Sequence, residues 1–132
     1  MLRVLVTAII GALSVVYAAP IRAQVTHTPF ELAMLPDYCK ARLGNDEQAR
    51  KAWLQKMGQN WYHLHHYCSG LTSMRRAKST ADPKKRREDY EFAVKEFNYV
   101  LKNWTPDFYL VKDAKAQRAE ASIMLGRPVP MQ

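Results

Sequence analysis

Apolar residues recur at intervals of three and four along most of this chain, which is the spacing of amphipathic helices. The clearest pattern lies between residues 90 and 104 and comprises Tyr90, Ala93, Val94, Phe97, Val100, Leu101 and Trp104. No segment shows the period-two alternation that is typical of a half-buried strand. The pattern therefore predicts an all-α fold of about five helices joined by short connections.

Capping residues and helix breakers set the expected boundaries of these helices. Proline suits a first helical turn and glycine suits the position after the last one, so Pro36 and Gly44 are expected to bound a short helix. Asp82 and Pro83 are expected to begin a longer helix, and Asn60 to cap the helix before it. Asn45 and Asp46 are the expected caps of a helix that Gly58 ends. The predicted helices cover residues 36–43, 47–57, 61–76, 83 to about 104, and about 110–125.

The predicted helix over residues 61–76 carries one broad apolar stripe. At 100° per residue, its members share a face and are expected to enter the core. They are Met57, Trp61, Leu64, Tyr67, Cys68, Leu71 and Met74.

The first 23 residues have the parts of a secretory signal peptide. Arg3 is followed by an apolar run up to Ala19 that is short for a membrane span, and small residues precede two candidate cleavage points, after Ala18 and after Ala23. We prefer cleavage after Ala23, and an uncleaved signal anchor is the alternative. The mature protein, residues 24–132, is therefore expected to be exported, most simply to a bacterial periplasm.

The net charge indicates which classes of partner to expect, and the cysteine count indicates a disulfide. Loss of Arg3 and Arg22 changes the formal net charge from +8 to +6. An exported basic protein rarely meets nucleic acid, so anionic lipid, another envelope polymer or an acidic protein is favoured. Two cysteines in an oxidising compartment predict one disulfide between Cys39 and Cys68, with buried thiols or a metal site as the competing interpretations.

The stretch "DYEFAVKEFNYVLKNWTPD" resembles the second helix of a tetratricopeptide repeat, a family of helical repeat proteins. In chain order, the matching positions are an aromatic residue, an alanine, a phenylalanine, a small or apolar residue and a proline. They are Tyr90, Ala93, Phe97, Val100 and Pro106. The stretch "AKAQRAEASIMLGR" resembles the first helix of a following repeat, with Ala119 at the small position. A long basic insertion and the absence of the usual Trp and Gly markers are departures from the family pattern.

This resemblance implies a single domain with three parts. Residues 24–60 form an amino-terminal helical cap, residues 61–105 a degenerate repeat with a long basic loop between its helices, and residues 107–126 a half repeat. Since each repeat buries its face on the next, about three repeats are usually needed for stability. The cap, tied by the disulfide, is expected to supply part of that burial, and completion by a second copy of the chain stays open.

The resemblance also implies a non-enzymatic interaction or scaffold module. Tetratricopeptide-type domains bind peptides on the concave side of their first helices. The positions that match that side, allowing for a shift of one or two residues, are Tyr62, His65, His66, Ser69 and Thr72.

The stretch "WYHLHHYCSG" holds three of the four histidines and raises the question of a metal site. His63 and His66 lie one helical turn apart, but no second group of ligands stands out to join them. The favoured interpretation is therefore histidines that flank the core, without metal or other cofactor, and a periplasmic metal-binding protein is the alternative. An enzyme using His65 and Cys68 would need a free thiolate, and no catalytic motif is present, so no enzymatic activity is expected.

A run of cations surrounds the expected loop after residue 76. Charge runs are usually solvated, but this one also predicts a docking patch for an anionic envelope component. Its members are Arg75, Arg76, Lys84, Lys85, Arg86 and Arg87.

Overall fold

The computed structural model describes residues 25–129, and every regular element among them is helical. The α-helices are α1 (Pro29–Ala33), α2 (Asp37–Leu43), α3 (Glu47–Met57), α4 (Leu64–Ser79), α5 (Pro83–Asn103) and α6 (Val111–Met124), with a 3₁₀ helix at Gly58–His63. The predicted all-α fold of about five helices is confirmed by α2 to α6. The expected signal peptide lies outside the described residues.

Most helix ends coincide with the capping residues that the sequence indicates. The Asp46 carboxylate accepts a hydrogen bond from the Ala49 N–H at the start of α3. Asp82 accepts from the N–H groups of Lys84 and Lys85 at the start of α5, where Pro83 is the first helical residue. Gly58 ends α3 in a left-handed conformation, with φ of 59°, that glycine adopts without steric cost.

Helix α4 is the centre of the molecule, because it is buried on more than one side. The predicted stripe enters the core, with Leu64 and Cys68 fully buried. The opposite, small-residue side is buried as well, and there Gly70 lies directly against the ring of Phe97 on α5. Helices α4 and α5 therefore pack as an antiparallel pair joined by only residues 80–82, and α6 packs on α5.

The disulfide between Cys39 and Cys68 joins α2 to α4, with 5.6 Å between the two Cα atoms. Both half-cystines are fully buried. A second link across the same region comes from the buried Tyr67, whose hydroxyl donates a hydrogen bond to Asp113 on α6. Burial is the main cause that raises the pKa of Tyr67. Helices α2, α4 and α6 are thus tied together around one aromatic and disulfide centre.

Three local predictions are wrong. Asn60 does not cap α4 but lies in the 3₁₀ helix, where its amide bonds both the hydroxyl and the N–H of Thr105. The long basic loop is short, because α4 continues to Ser79 as Ala77 packs into the core. Pro36 precedes α2 as its N-cap rather than beginning it.

None of the helices among residues 25–129 combines the length and apolar character that crossing a bilayer would require.

Candidate functional site

A surface groove of about 510 Å³ opens where the α1–α2 junction meets α4 and α6. We call it the groove; it is lined by Met34, Leu35, Pro36, Leu71, Met74, Arg75, Lys78 and Gln117. A second concavity, beside Tyr90 and Met124, has a volume of about 220 Å³. The groove is within the size range of ligand sites in proteins.

The floor of the groove is apolar. Leu35 and Met74 are each only 3% exposed, and Leu71 is partly buried beside them. The apolar surface continues beyond the floor, because Met34 is 52% exposed and Phe30, one helical turn earlier, is 72% exposed. Large apolar side chains left in water next to a concavity are typical of interaction sites.

Two cationic side chains border this floor. The Arg75 guanidinium donates from Nη2 to the carbonyl oxygen of Met34 at 3.0 Å. Its other terminal nitrogen, Nη1, is buried and has no hydrogen-bond partner among the described residues. The Lys78 ammonium pairs with Glu120 at 2.7 Å, and both side chains are about half exposed. The groove lining itself contains no carboxylate.

The wall formed by the amino-terminal segment is held on α4 by an ion pair. Arg76 donates from Nε to Glu31 Oε1 at 2.5 Å and from Nη2 to Oε2 at 2.8 Å. The Arg76 hydrogen bonds are the largest influence on Glu31 and lower the pKa of its carboxyl to about 2. Thr28 and Glu31 also form a reciprocal capping box that defines α1.

The sequence reasoning missed this site, although one signal for it was present. Thr28 and Glu31 have the spacing of a capping box, Thr-x-x-Glu, and this spacing could have identified α1. The residues that line the groove come from three separated segments, and no local pattern relates Leu35, Met74 and Gln117.

The predicted partner-binding residues do not form one exposed surface. Tyr62 is 53% exposed, and His65 and His66 are partly exposed. Ser69 is 9% exposed and Thr72 only 1%, with its hydroxyl bonded to the Cys68 carbonyl. These two side chains are buried because α4 packs on more than one side. Partner binding by the five residues stays a prediction.

The exposed members belong to a connected cluster of rings. His65 and His66 have ring centroids 4.2 Å apart, and the ring of His66 lies 3.8 Å from that of Tyr99. His66 Nδ1 lies 2.7 Å from a carboxylate oxygen of the buried Glu96, and His65 Nδ1 lies 3.3 Å from Arg42 Nη2. Burial, followed by the neighbouring His66 and Arg42, lowers the pKa of His65 to about 4.

The alternative metal ligands, His63 and His66, both contact Tyr99. The Nδ1 atom of His63 lies 3.3 Å from the Tyr99 hydroxyl, while the ring of His66 stacks on the tyrosine. Within residues 25–129, no group of three or more His, Cys, Asp or Glu side chains is arranged to hold a metal ion. Metal binding by this pair stays a prediction.

The predicted anionic docking patch is shared between two helices. Arg75 and Arg76 lie on the last turns of α4, where they donate hydrogen bonds to the Met34 carbonyl and the Glu31 carboxylate. Residues 84–87 are exposed on the first turn of α5, where Lys84 and Arg87 approach Glu88 and Glu91 at 3.9 and 3.3 Å. Docking of an anionic envelope component on residues 84–87 stays a prediction.

No protein-family model matches this chain, and no curated protein and no solved structure matches it. The resemblance to tetratricopeptide repeats therefore stays a prediction.

Proposed function

We propose that this protein is a non-enzymatic, exported interaction module that binds a peptide segment of a partner protein in the groove. The observation that carries the proposal is the groove itself, with its nearly buried floor of Leu35 and Met74. Concave sites with an apolar floor and few polar groups are the usual geometry of ligand recognition.

A peptide suits this groove better than a compact small molecule. Exposed apolar side chains continue from Met34, in the groove lining, to Phe30 one helical turn earlier, so an elongated ligand would cover more apolar surface. Apolar grooves commonly bind peptides by burying the apolar face of an amphipathic segment. A tetratricopeptide-like arrangement, with α4 and α6 as the first helices of successive repeats, is part of this proposal.

Export is supported by the disulfide between Cys39 and Cys68. Disulfides persist in oxidising compartments and are rare in the reducing cytosol of most organisms. A periplasmic or secreted location, after removal of residues 1–23, is compatible with this bond.

A charge placed on the groove floor tests the function. Leu71→Arg introduces a cation among the apolar side chains of the floor, and Leu101→Arg makes the same change at a partly buried leucine of α5 outside the groove. Wild type and both variants would be immobilised and exposed to an extract of the source cell envelope, with bound proteins quantified by mass spectrometry. Thermal unfolding of each variant would check that it is folded.

We expect one or more proteins to bind to wild type and Leu101→Arg, and to bind at least tenfold less to Leu71→Arg. Retention of every bound protein by a folded Leu71→Arg variant would overturn the groove as the binding site. Failure of wild type to retain any protein above the bare matrix would also count against the proposal.

A further inference from the structure

The two cations of the groove differ, because Arg75 alone of them has a buried donor without a hydrogen-bond partner among the described residues. Its Nη2 bonds the Met34 carbonyl, whereas its Nη1 is buried without a partner among the described residues. A buried donor that lacks an acceptor raises the free energy of the protein. An acceptor supplied by a ligand would remove that cost.

The charge around Arg75 favours an anionic acceptor. No carboxylate lines the groove, and the one ion pair that its two cations form among residues 25–129 joins Lys78 to Glu120, with both side chains about half exposed. Exposed ion pairs of this kind contribute little and are readily exchanged. Arg75 and Lys78 therefore bring two positive charges to the apolar floor against the single negative charge of Glu120.

We propose that the peptide bound in the groove carries an aspartate or glutamate side chain next to an apolar side chain, and that Arg75 binds its carboxylate. The apolar side chain packs on Leu71 and Met74, and the guanidinium of Arg75 turns so that Nη1 reaches the carboxylate. This proposal rests on the proposed function, and it adds the chemical class of the partner. A charge-assisted hydrogen bond of this kind is shorter and stronger than a neutral one.

A random peptide library provides a probe that does not depend on knowing the natural partner. Heptapeptides displayed with their carboxyl ends fused to the carrier offer only side-chain carboxylates, and a second library with free carboxyl ends offers both kinds. Selection would be run on wild type, Arg75→Gln, Arg75→Lys and Arg50→Gln. Arg50 is an exposed arginine of α3 outside the groove lining, so it controls for loss of one positive charge.

On wild type and Arg50→Gln, we expect the fused library to enrich Asp or Glu adjacent to apolar residues. On Arg75→Gln, that acidic preference should disappear while the apolar preference remains, and enriched peptides should bind about tenfold more weakly, as expected for loss of a charged hydrogen bond. Arg75→Lys should keep the acidic preference, because it keeps the charge.

Failure of this inference and failure of the proposed function would give different experimental results. Enrichment of apolar peptides without acidic residues would overturn the inference and leave peptide binding in place. Enrichment from the free-end library alone would also overturn it, since the carboxylate would then be a main-chain terminus. If a folded wild-type protein enriched no peptide from either library, peptide binding in the groove would itself be rejected.

Discussion

The ring of Phe97 occupies the space where a side chain on Gly70 would begin. A Cβ atom placed on Gly70 would lie 2.8 Å from two ring atoms of Phe97, which is closer than such atoms approach in proteins. Phe97 is fully buried, so its ring has no solvent-exposed side into which it can move. Close approach of α4 and α5 therefore depends on glycine at position 70.

Gly70→Ala is expected to destabilise the protein, although alanine is the better helix former. Helix propensity alone would favour alanine by about 1 kcal/mol in an exposed helix. Overpacking a close-packed core costs about 1–3 kcal/mol, and we expect this cost to exceed the propensity gain. The free energy of unfolding, measured by urea denaturation, should fall by about 1 kcal/mol.

The same substitution in a Phe97→Leu background separates packing from other effects. Leucine leaves space near position 70, so Gly70→Ala should cost less there than in the wild-type background. The difference between the two costs measures the coupling between the two positions. Equal costs in both backgrounds would show that the Gly70–Phe97 contact is not the cause of the lost stability.

Removal of the disulfide gives a second prediction. Cys39 and Cys68 are separated by 29 positions, and closing a loop of that length stabilises a fold by roughly 3.5 kcal/mol on the chain-entropy model. Cys39→Ala/Cys68→Ala should lose a comparable amount in urea unfolding, and reductant should destabilise wild type but not the double variant. If reductant left the wild-type unfolding curve unchanged, the bond would contribute little to stability.

Helix types and most helix ends could be predicted because the physical signals are local. Asp46, Asp82 and Gly58 each act through neighbours within one turn, so the sequence around them contains the whole cause. Asn60 is a case in which the local sequence does not contain the cause. It has a capping residue's chemistry, but its amide bonds Thr105, which is 45 positions away and is brought close only by packing.

The candidate site was less accessible to sequence reasoning. The polar side chains of Ser69 and Thr72 favour a surface position, yet they are buried because α4 packs on more than one side. Periodicity identifies one apolar face well, but it does not reveal a second buried face that is lined by small residues. The groove combines Pro36, Leu71 and Gln117 from three separated segments, and their meeting is a property of the tertiary fold alone.

Acid should weaken attachment of the amino-terminal segment. The pKa of Glu31 is lowered from 4.5 to about 2 in the folded protein, chiefly by its hydrogen bonds with Arg76. A carboxyl with a lowered pKa contributes stability that is complete above pH 4.5 and is lost as the pH falls from 4.5 towards 2. In Glu31→Gln, the free energy of unfolding should depend less on pH in that window.

Glu88→Gln is a suitable control for this acid effect, since Glu88 is exposed and only approaches Lys84 at 3.9 Å. It removes one carboxylate from the surface without touching α1. If Glu88→Gln reduced the pH dependence as much as Glu31→Gln, the effect would reflect general charge rather than the Arg76 pair.

His65 is a base rather than an acid, but its lowered pKa should also make the folded protein less stable as the pH falls. Its pKa is lowered from 6.5 to about 4, mainly because burial disfavours the charged imidazolium and then because His66 and Arg42 repel it. Between these values the unfolded chain binds a proton that the folded protein does not, so stability falls as the pH decreases from 6.5 to 4. His65→Gln should remove this part of the pH dependence.

Urea unfolding of wild type, His65→Gln and His63→Gln across that window tests the cause. His63→Gln removes an imidazole from the same ring cluster, where it contacts Tyr99, and so controls for loss of ring packing. The two variants can both lower stability, but His65→Gln alone should flatten the curve between pH 6.5 and 4. A flattening of equal size in His63→Gln would show that acid sensitivity belongs to the cluster as a whole, and not to the partly buried position of His65 beside Arg42.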